Sequence, residues 1–332
     1  MFFAKTLLKQ AALRALRLAE KARAPVLVNG HRIFGIEGVH GIEPTARLHV
    51  TGENSHLTLG SGAWLGERVE IEAVAPGQIE IGEGATLQND CVVRGDVEIG
   101  ANCIFARGCL VISTTHRFRD NPEWLISDQD AAFLEKNRTS TAPIRIGEDC
   151  WFGACSAVMP GVTIGRGAVI GANTVVTRDI APYEIHGGAP NRKIGFRLAF
   201  APPARIEACS DRHIPYFYSG FRLKQKALSR SRQAGVVAAG RQVSMVLSRA
   251  DKPIVIQGRL LQSRAVQLNA RVNGRDWQVH SLAQEHFTIS VTGDGEERTP
   301  VPEFLRNYSV VDLYTDTPTD DPTYGIVEVE CG

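Results

Sequence analysis

One histidine stands where the regular part of the sequence gives way to a long polar segment. His116 closes the stretch VISTTH, and the residues after it, up to position 145, are polar and charged. An imidazole exchanges a proton near neutral pH, so a histidine in such a place can act as a general base. Long loops inside compact domains are usually functional. This position distinguishes His116 from the histidines in the irregular early part of the chain, which are His31, His40, His49 and His56.

The sequence on both sides of that segment repeats with a period of six. A bulky apolar residue occupies every sixth position, at Ile81, Leu87, Val93, Ile99, Phe105 and Val111, and again at Ile146, Phe152, Val158, Ile164, Ile170 and Val176. This period fits neither a helix nor strand alternation, but it fits a chain wound round a triangular prism, with one inward side chain per face. Glycine follows four residues of the second run, where we expect tight corners with positive φ. The pattern predicts a hexapeptide-repeat parallel β-helix.

Composition narrows the class of protein. The chain has 332 residues and a formal net charge of +1, so it carries no broad basic field and nucleic acid is not expected as a partner. Its seven cysteines form no CxxC pair, and we interpret them as small apolar packing residues in a reducing compartment. Paired spacings suited to zinc are missing from the sequence, and no metal is expected.

The two ends of the chain differ from the repeats. Residues 1–25 are helical in composition and basic, and we expect this helix to cap the open end of the solenoid. A basic helix can also lie on an anionic membrane surface. The predicted domains are the N-terminal helix at 1–25, the β-helix at 26–198, a connector at 199–234 and an antiparallel β-sandwich at 235–332. The prediction of a sandwich is based on β-rich segments that are separated by turns such as Asn273-Gly274.

Residues 81–195 resemble a known family. The elements are Thr-His before a loop, then WFG, PGVTIG, VVTRD and GGAPNRKIG in that order. They look like the maltose and galactoside branch of the hexapeptide-repeat sugar O-acetyltransferases. The resemblance implies a left-handed β-helix, acetyl-CoA as the acyl donor and His116 as the general base. Arg117 departs from the family, which usually has proline after the histidine.

The resemblance also implies which residues bind the donor. Ala154, Ala172, Thr177 and Arg178 would line the pantetheine arm, and Arg192 would meet the nucleotide phosphates, with Lys193 as a weaker candidate. Trp151 matches a tryptophan of the donor groove, although simple packing on the outside of the prism is an alternative. The groove of the family lies between adjacent prisms of a homotrimer, so self-association is expected.

The acceptor side is predicted more loosely. Asn89 and Asp90 lie near the acceptor-binding asparagine of the family. Trp124 could stack on a sugar face or anchor the loop to the prism. Asp120 could orient His116 or bind a hydroxyl. The expected acceptor is a saccharide, in particular a bacterial surface polysaccharide or its precursor, modified in the cytoplasm or at the inner membrane.

Other functions remain open at this point. VVRGDVEIG also resembles the γ-class carbonic anhydrases, but these need three converging histidines, and this region supplies only His116. A sugar-nucleotide N-acetyltransferase would use the same donor with an amine acceptor. A non-catalytic trimeric scaffold that binds glycan through its sandwich is the alternative outside enzymology.

Overall fold

The computed structural model describes residues 33–331, except for 53, 138–140, 224–235, 239–241, 250–252, 262–265, 294–300 and 316–323. The predicted N-terminal helix at 1–25 lies outside the described residues. The described residues divide into two compact units, one that ends at Ala199 and one that begins at Phe200. The finer domain boundaries of the sequence analysis stay predictions.

The first unit is a β-solenoid, which confirms the predicted fold class. Its described strands form three sheets, one for each face of the prism, and all pairs are parallel except the antiparallel pair of Glu184–Gly187 and Arg192–Phe196 at the end of sheet two. Sheet one contains β1 (Ile33–Phe34), β4 (His56–Leu59), β7 (Gln78–Ile81), β10 (Val97–Ile99), β13 (Ile144–Ile146) and β16 (Thr163–Ile164). Sheet two contains β2 (Gly41–Ile42), β5 (Trp64–Leu65), β8 (Thr86–Leu87), β11 (Ile104–Phe105), β14 (Trp151–Phe152), β17 (Val169–Ile170), β19 (Glu184–Gly187) and β20 (Arg192–Phe196). Sheet three contains β3 (Arg47–Thr51), β6 (Glu70–Val74), β9 (Val92–Gly95), β12 (Leu110–Ile112), β15 (Ala157–Val158) and β18 (Val175–Val176).

The predicted inward residues form the core of this unit. All twelve of them are buried, and they belong to one apolar cluster that runs along the prism. Phe105 and Phe152 pair in register on neighbouring coils, and their rings stack with centroids 4.2 Å apart. Cys91, Cys103, Cys109 and Cys150 are free and buried at inner corners, as the packing interpretation predicted.

The expected reason for the repeated glycines was wrong. Gly147 and Gly165 do not have positive φ; the left-handed residues come two positions later, as at Asp149 (φ 58°) and Gly167 (φ 70°). Glycine is required after the inward residue because the next coil passes too close for a side chain. A Cβ on Gly147 would lie 2.6 Å from the backbone nitrogen of Arg166, and one on Gly165 would lie 2.5 Å from the next coil.

The polar segment interrupts the solenoid for one coil. Ile79 pairs with Val97 after 18 residues, whereas Val97 pairs with Ile144 after 47, which is 29 more than a regular coil takes. The sequence predicted a loop here, but the insertion contains the helix α1 (Ile126–Lys136). Its polar composition gives it no clear apolar stripe, so the helix did not stand out in the sequence. Asp128 in its first turn and Lys136 in its last complement the helix dipole.

The second unit contains two antiparallel sheets, as predicted. Sheet four contains β21 (Arg205–Glu207), β23 (Phe221–Leu223), β24 (Val236–Ala238), β26 (Ile254–Leu260), β29 (His286–Val291) and β31 (Tyr324–Cys331). Sheet five contains β22 (Phe217–Ser219), β25 (Gln242–Ser248), β27 (Val266–Val272), β28 (Arg275–Leu282) and β30 (Tyr308–Thr315). Ile256 of one sheet and Leu268 of the other share a buried core. The segment predicted as a connector supplies β21, β22 and β23 to these sheets.

No helix in the described ranges is long and apolar enough to cross a membrane.

Candidate functional site

The insertion leaves the solenoid at the corner between sheet three and sheet one. Thr114 and Thr141 form an antiparallel bridge across its base, and the N–H of Ala142 donates to the carbonyl oxygen of Ser113 at 2.9 Å. The hydroxyl of Ser113 accepts from the N–H of Asp96 at 2.7 Å, which ties this base to the adjoining corner. His116 lies two residues after Thr114, so these hydrogen bonds fix the backbone immediately before it.

The imidazole of His116 is oriented by a carboxylate from α1. His116 Nδ1 lies 2.5 Å from Asp130 Oδ2, and Asp130 Oδ1 accepts from the N–H of Arg117 at 2.6 Å. The N–H of Arg117 and then the imidazole of His116 lower the pKa of Asp130 from its ordinary value. An ionised carboxylate can only accept, so Nδ1 carries a proton, and in the neutral imidazole Nε2 presents its lone pair. The side chain of His116 is 81% exposed, and Nε2 has no hydrogen-bond partner in the described part of the chain.

Arg117, the residue that departs from the family pattern, holds the insertion together. Its guanidinium donates two hydrogen bonds to the carboxylate of Asp120, at 2.8 and 2.9 Å, and lies 4.4 Å from the centroid of the Phe133 ring. The predicted candidate Asp120 therefore pairs with Arg117, and Asp130 is the residue that contacts His116. Asp130 was not identified from the sequence.

Trp124 is one of the exposed apolar residues of the insertion. The residue is 52% exposed, and its hydrogen bonds within the described residues are made by its backbone. Its carbonyl oxygen accepts from buried Gln129 at 3.3 Å, and Gln129 also accepts from the N–H of Asn121 at 3.1 Å. Gln129 thus fixes the loop and leaves the indole ring available to a ligand.

Four other candidates lie at a different corner, between sheet two and sheet three. Asp90 accepts from Arg68 at 2.6 Å and from Arg107 at 2.9 Å. The hydrogen bond from Arg68 is the main reason why the pKa of Asp90 lies below its ordinary value. The side-chain oxygen of Asn89 accepts from the N–H of Glu67 at 3.1 Å. Both acceptor candidates are therefore engaged in contacts along this edge of the prism.

Ala154 and Ala172 continue the same edge on later coils. The N–H of Asn173 donates to the carbonyl oxygen of Ala154 at 2.9 Å, so the two alanines follow each other along the axis. Ala154 is half-buried and Ala172 is exposed. Small side chains here leave the backbone of the corner open to an extended ligand.

Trp151 lies on the outer surface of sheet two. It pairs in register with Ile104 on one side and Val169 on the other, and its side chain is 53% exposed. Because the residue is more than half exposed, packing on the prism does not account for the whole of Trp151.

Thr177 and Arg178 return to the corner that carries His116. They follow β18, which is two strands beyond β12 in sheet three. At the usual strand separation, two strands correspond to about 10 Å along the axis. Both residues are exposed. The N–H of Thr177 donates to the side-chain oxygen of buried Asn191 at 2.9 Å.

The hairpin formed by β19 and β20 carries the two remaining donor candidates. Arg192 is exposed, whereas the ammonium of Lys193 lies 3.2 Å from the carboxylate of Glu184 and 4.6 Å from the centroid of the Phe196 ring. Burial acts to raise the pKa of Glu184, but hydrogen bonds from His186 and Lys193 outweigh it and leave that pKa below its ordinary value. Lys193 is thus engaged by Glu184.

The candidates fall into separate groups within one chain. His116, Asp120, Trp124, Thr177 and Arg178 belong to the corner between sheets three and one. Asn89, Asp90, Ala154 and Ala172 belong to the corner between sheets two and three, and Trp151, Arg192 and Lys193 belong to sheet two. Asp130 and Asn191 were not identified as candidates from the sequence. Asn191 lies within the GAPNR stretch that carries part of the family resemblance, and this was the only indication of it in the sequence.

Two family models match the solenoid on either side of the insertion. The model described as "Bacterial transferase hexapeptide (six repeats)" matches residues 78–113, and the model described as "Hexapeptide repeat of succinyl-transferase" matches residues 143–178. These ranges contain the inward residues that fill the prism. Both stretches of the solenoid, before and after the insertion, are thus similar to hexapeptide-repeat transferases.

Curated proteins that are similar to parts of this chain are described as acetyltransferases. A probable acetyltransferase of Mycobacterium tuberculosis is 31% identical over 189 residues, which are 55% of this chain and 59% of that protein. The chloramphenicol acetyltransferase of Klebsiella aerogenes is 55% identical over 53 residues, which are 16% of this chain and 25% of that protein. The chain therefore spans less than two thirds of the length of each of these relatives.

A solved acetyltransferase structure gives a weaker similarity. The polySia specific acetyltransferase NeuO has 19% sequence identity and a TM-score of 0.41, over 52% of this chain and 88% of that one. No conclusion about the acceptor follows from a similarity at this level.

Proposed function

We propose that this chain is an O-acetyltransferase that moves the acetyl group of acetyl-CoA to a hydroxyl of a saccharide. The observation that carries the proposal is the pairing of an exposed His116 with Asp130. A sugar hydroxyl is a poor nucleophile at neutral pH, so it needs a base within hydrogen-bonding reach. His116 Nε2 is such a base, because Asp130 holds the proton on the opposite nitrogen.

The proposed reaction needs no covalent enzyme intermediate. The hydroxyl oxygen attacks the thioester carbon while its proton passes to His116 Nε2. The tetrahedral intermediate then collapses: the carbon–sulfur bond breaks, and the sulfur leaves with the proton returned by the imidazolium. The products are an O-acetyl ester and free CoA. Asp130 stabilises the imidazolium that forms between these two steps.

The donor would lie along exposed corners of the solenoid. Ala154 and Ala172 offer open backbone to the amide groups of the pantetheine arm. Thr177, Arg178 and Arg192 are exposed, and the two arginines can meet phosphates. Lys193 is a weaker ligand because Glu184 already engages its ammonium. Trp151 would complete the groove. The acetyltransferase descriptions of the curated relatives support acetyl-CoA as the donor.

The acceptor is proposed to be a bacterial surface polysaccharide or its precursor. The exposed ring of Trp124 presents a flat apolar face to a pyranose. Asp120, Asn89 and Asp90 are the polar candidates for binding acceptor hydroxyls. The maltose and galactoside branch remains part of this proposal, as does a cytoplasmic location near the inner membrane.

The active form is proposed to be a homotrimer. In one chain Thr177 and Arg178 share the corner of His116, but the other donor candidates lie on other faces and corners, so a neighbouring prism is needed to complete a groove. Cyclic closure of three prisms would bring His116 of one chain towards Trp151 of the next. The site is incomplete without that partner.

The proposed function is tested by measuring the release of free thiol from acetyl-CoA in the presence of each member of a panel of purified glycans and sugar nucleotides. We expect release with a saccharide acceptor and a product that mild alkali hydrolyses, as an ester does. An alkali-stable product would identify an N-acetyltransferase instead. Binding of glycan without thiol release on any acceptor would identify the non-catalytic scaffold.

A further inference from the structure

The last coil of the solenoid leaves one backbone donor without the partner that earlier coils supply. In each complete coil, the N–H that follows an inward residue donates to the inward residue of the next coil; Met159, for example, donates to the carbonyl oxygen of Val176 at 2.9 Å. Thr177 follows the inward residue Val176 of β18. Since β18 is the terminal described strand of sheet three, no coil lies beyond it to accept from Thr177.

The side chain of Asn191 takes the place of that missing coil. Its Oδ1 accepts from the N–H of Thr177 at 2.9 Å, and its own N–H donates to the carbonyl oxygen of Val175 at 2.9 Å. Asn191 is fully buried. Its carboxamide therefore extends the hydrogen-bond ladder by one step, and Thr177 is held as it would be at an internal corner.

A second set of contacts fixes which way the carboxamide points. Nδ2 of Asn191 donates to Nδ1 of His186 at 3.0 Å, and Nε2 of His186 donates to the carboxylate of Glu184 at 2.8 Å. Nδ1 of His186 is thus an acceptor, which would oppose a rotated carboxamide that turned its oxygen towards the ring. Lys193 is the last member of this series of polar contacts, through its ion pair with Glu184.

We infer that Asn191 is a positioning residue for the acyl donor, acting through Thr177 and Arg178. This inference rests on the proposed function, in which those two residues line the pantetheine arm. Asn191 and His186 are buried and would not touch the donor themselves. They hold the exposed turn at 177–178 in one conformation before the donor binds. Donor binding then does not have to supply the free energy that ordering this turn would cost.

Calorimetric titration of CoA into the purified full-length protein tests the inference. Asn191→Ala should weaken CoA binding roughly 5- to 30-fold, because the backbone N–H of Thr177 loses its acceptor and the turn at 177–178 is no longer held in place. The KM for acetyl-CoA should rise in parallel, whereas kcat at saturating donor should change by less than about twofold. His186→Ala should weaken CoA binding less, and the double variant should bind CoA no more weakly than Asn191→Ala alone.

A matched control separates positioning from general instability. Ile79→Val shortens a buried core side chain of sheet one, remote from Thr177, and should lower the melting temperature without changing CoA affinity. Unchanged CoA affinity in a folded Asn191→Ala protein would overturn the inference. An equal loss of CoA affinity in Ile79→Val would overturn it as well. Wild-type protein that binds CoA but acetylates no acceptor would overturn only the proposed function, and wild-type protein that binds no CoA would overturn both.

Discussion

Nδ1 of His116 lies 2.5 Å from Oδ2 of Asp130, although the two residues are 14 positions apart in the sequence. Helix α1 brings the carboxylate back to the base of the insertion, and the N–H of Arg117 holds its second oxygen at 2.6 Å. The insertion therefore does more than project from the solenoid. It carries its own orienting group for the histidine at its base.

Replacement of that orienting group should reduce acetyl transfer. In Asp130→Asn, an amide replaces the carboxylate, so the protonated Nδ1 tautomer is no longer favoured and the imidazolium loses its counter-charge. We expect kcat to fall by roughly 10- to 10⁴-fold, up to the loss seen when the wrong tautomer is stabilised in a catalytic triad. Steady-state assays of thiol release measure this fall.

The control for this variant lies on the same helix. Asp128 is exposed in the first turn of α1, and Asp128→Asn removes the same charge without touching His116. Its kcat should stay within about twofold of wild type, as for a surface substitution away from the site. Equal losses in the two variants would refute an orienting role for Asp130.

Glu184→Gln should change how stability depends on pH. The hydrogen bonds that outweigh burial keep the pKa of Glu184 below its ordinary value in the folded protein. A carboxyl group of this kind contributes stability above its unfolded-state pKa, about 4.3, and that contribution is lost as the pH falls through the lower folded-state pKa. The melting temperature of wild type should therefore exceed that of Glu184→Gln most clearly near pH 6–7, with the difference shrinking below about pH 4. A difference that grows on acidification would contradict the assigned sign.

Gly147→Ala should destabilise the solenoid. The added Cβ would lie 2.6 Å from the backbone nitrogen of Arg166, which cannot move without displacing the next coil. We expect a loss of about 1–3 kcal/mol in the free energy of unfolding, as for overpacking in a core. Gly195→Ala is the matched control, since nothing lies within 4 Å of its added Cβ. Equal stabilities of the two variants in urea unfolding would contradict the close-approach explanation.

Mixed assemblies test whether two chains share a site. His116→Ala removes the base, and Ala172→Trp fills the open corner expected to hold the donor. Each variant alone should be inactive, but co-assembled trimers should regain part of the activity, because some grooves would combine two intact walls. Verified mixed trimers with no recovered turnover, or a fully active monomer, would refute the shared groove.

The sequence predicted the core of the solenoid well because one side chain per face must fill a narrow interior. Ile81 and Ile146 could be placed inside the prism from their spacing alone, and both are buried. The role of the glycines could not be derived in the same way. A period in the sequence shows which residues are equivalent on successive coils, but not how close the backbones of two coils come, which is what excludes a Cβ from Gly147.

The candidate site was predictable only where it follows the repeat. His116 stood out because it borders the interruption. Asp130 did not, because its contact depends on the path of an insertion whose helix has no apolar stripe. Asn191 did not stand out either. It accepts a hydrogen bond from the backbone N–H of Thr177, which has no further coil to donate to, and this missing acceptor is recognised only once the strands have been placed in register.

The most direct test of the account is the rate of acetyl transfer by His116→Ala, measured as thiol release from acetyl-CoA with the best saccharide acceptor. The variant should keep the melting temperature of wild type, because the side chain is 81% exposed. Its kcat should fall by about 10²–10⁴-fold, the usual cost of losing a general base. A folded His116→Ala protein with near-native kcat would contradict the assignment of His116 as the base.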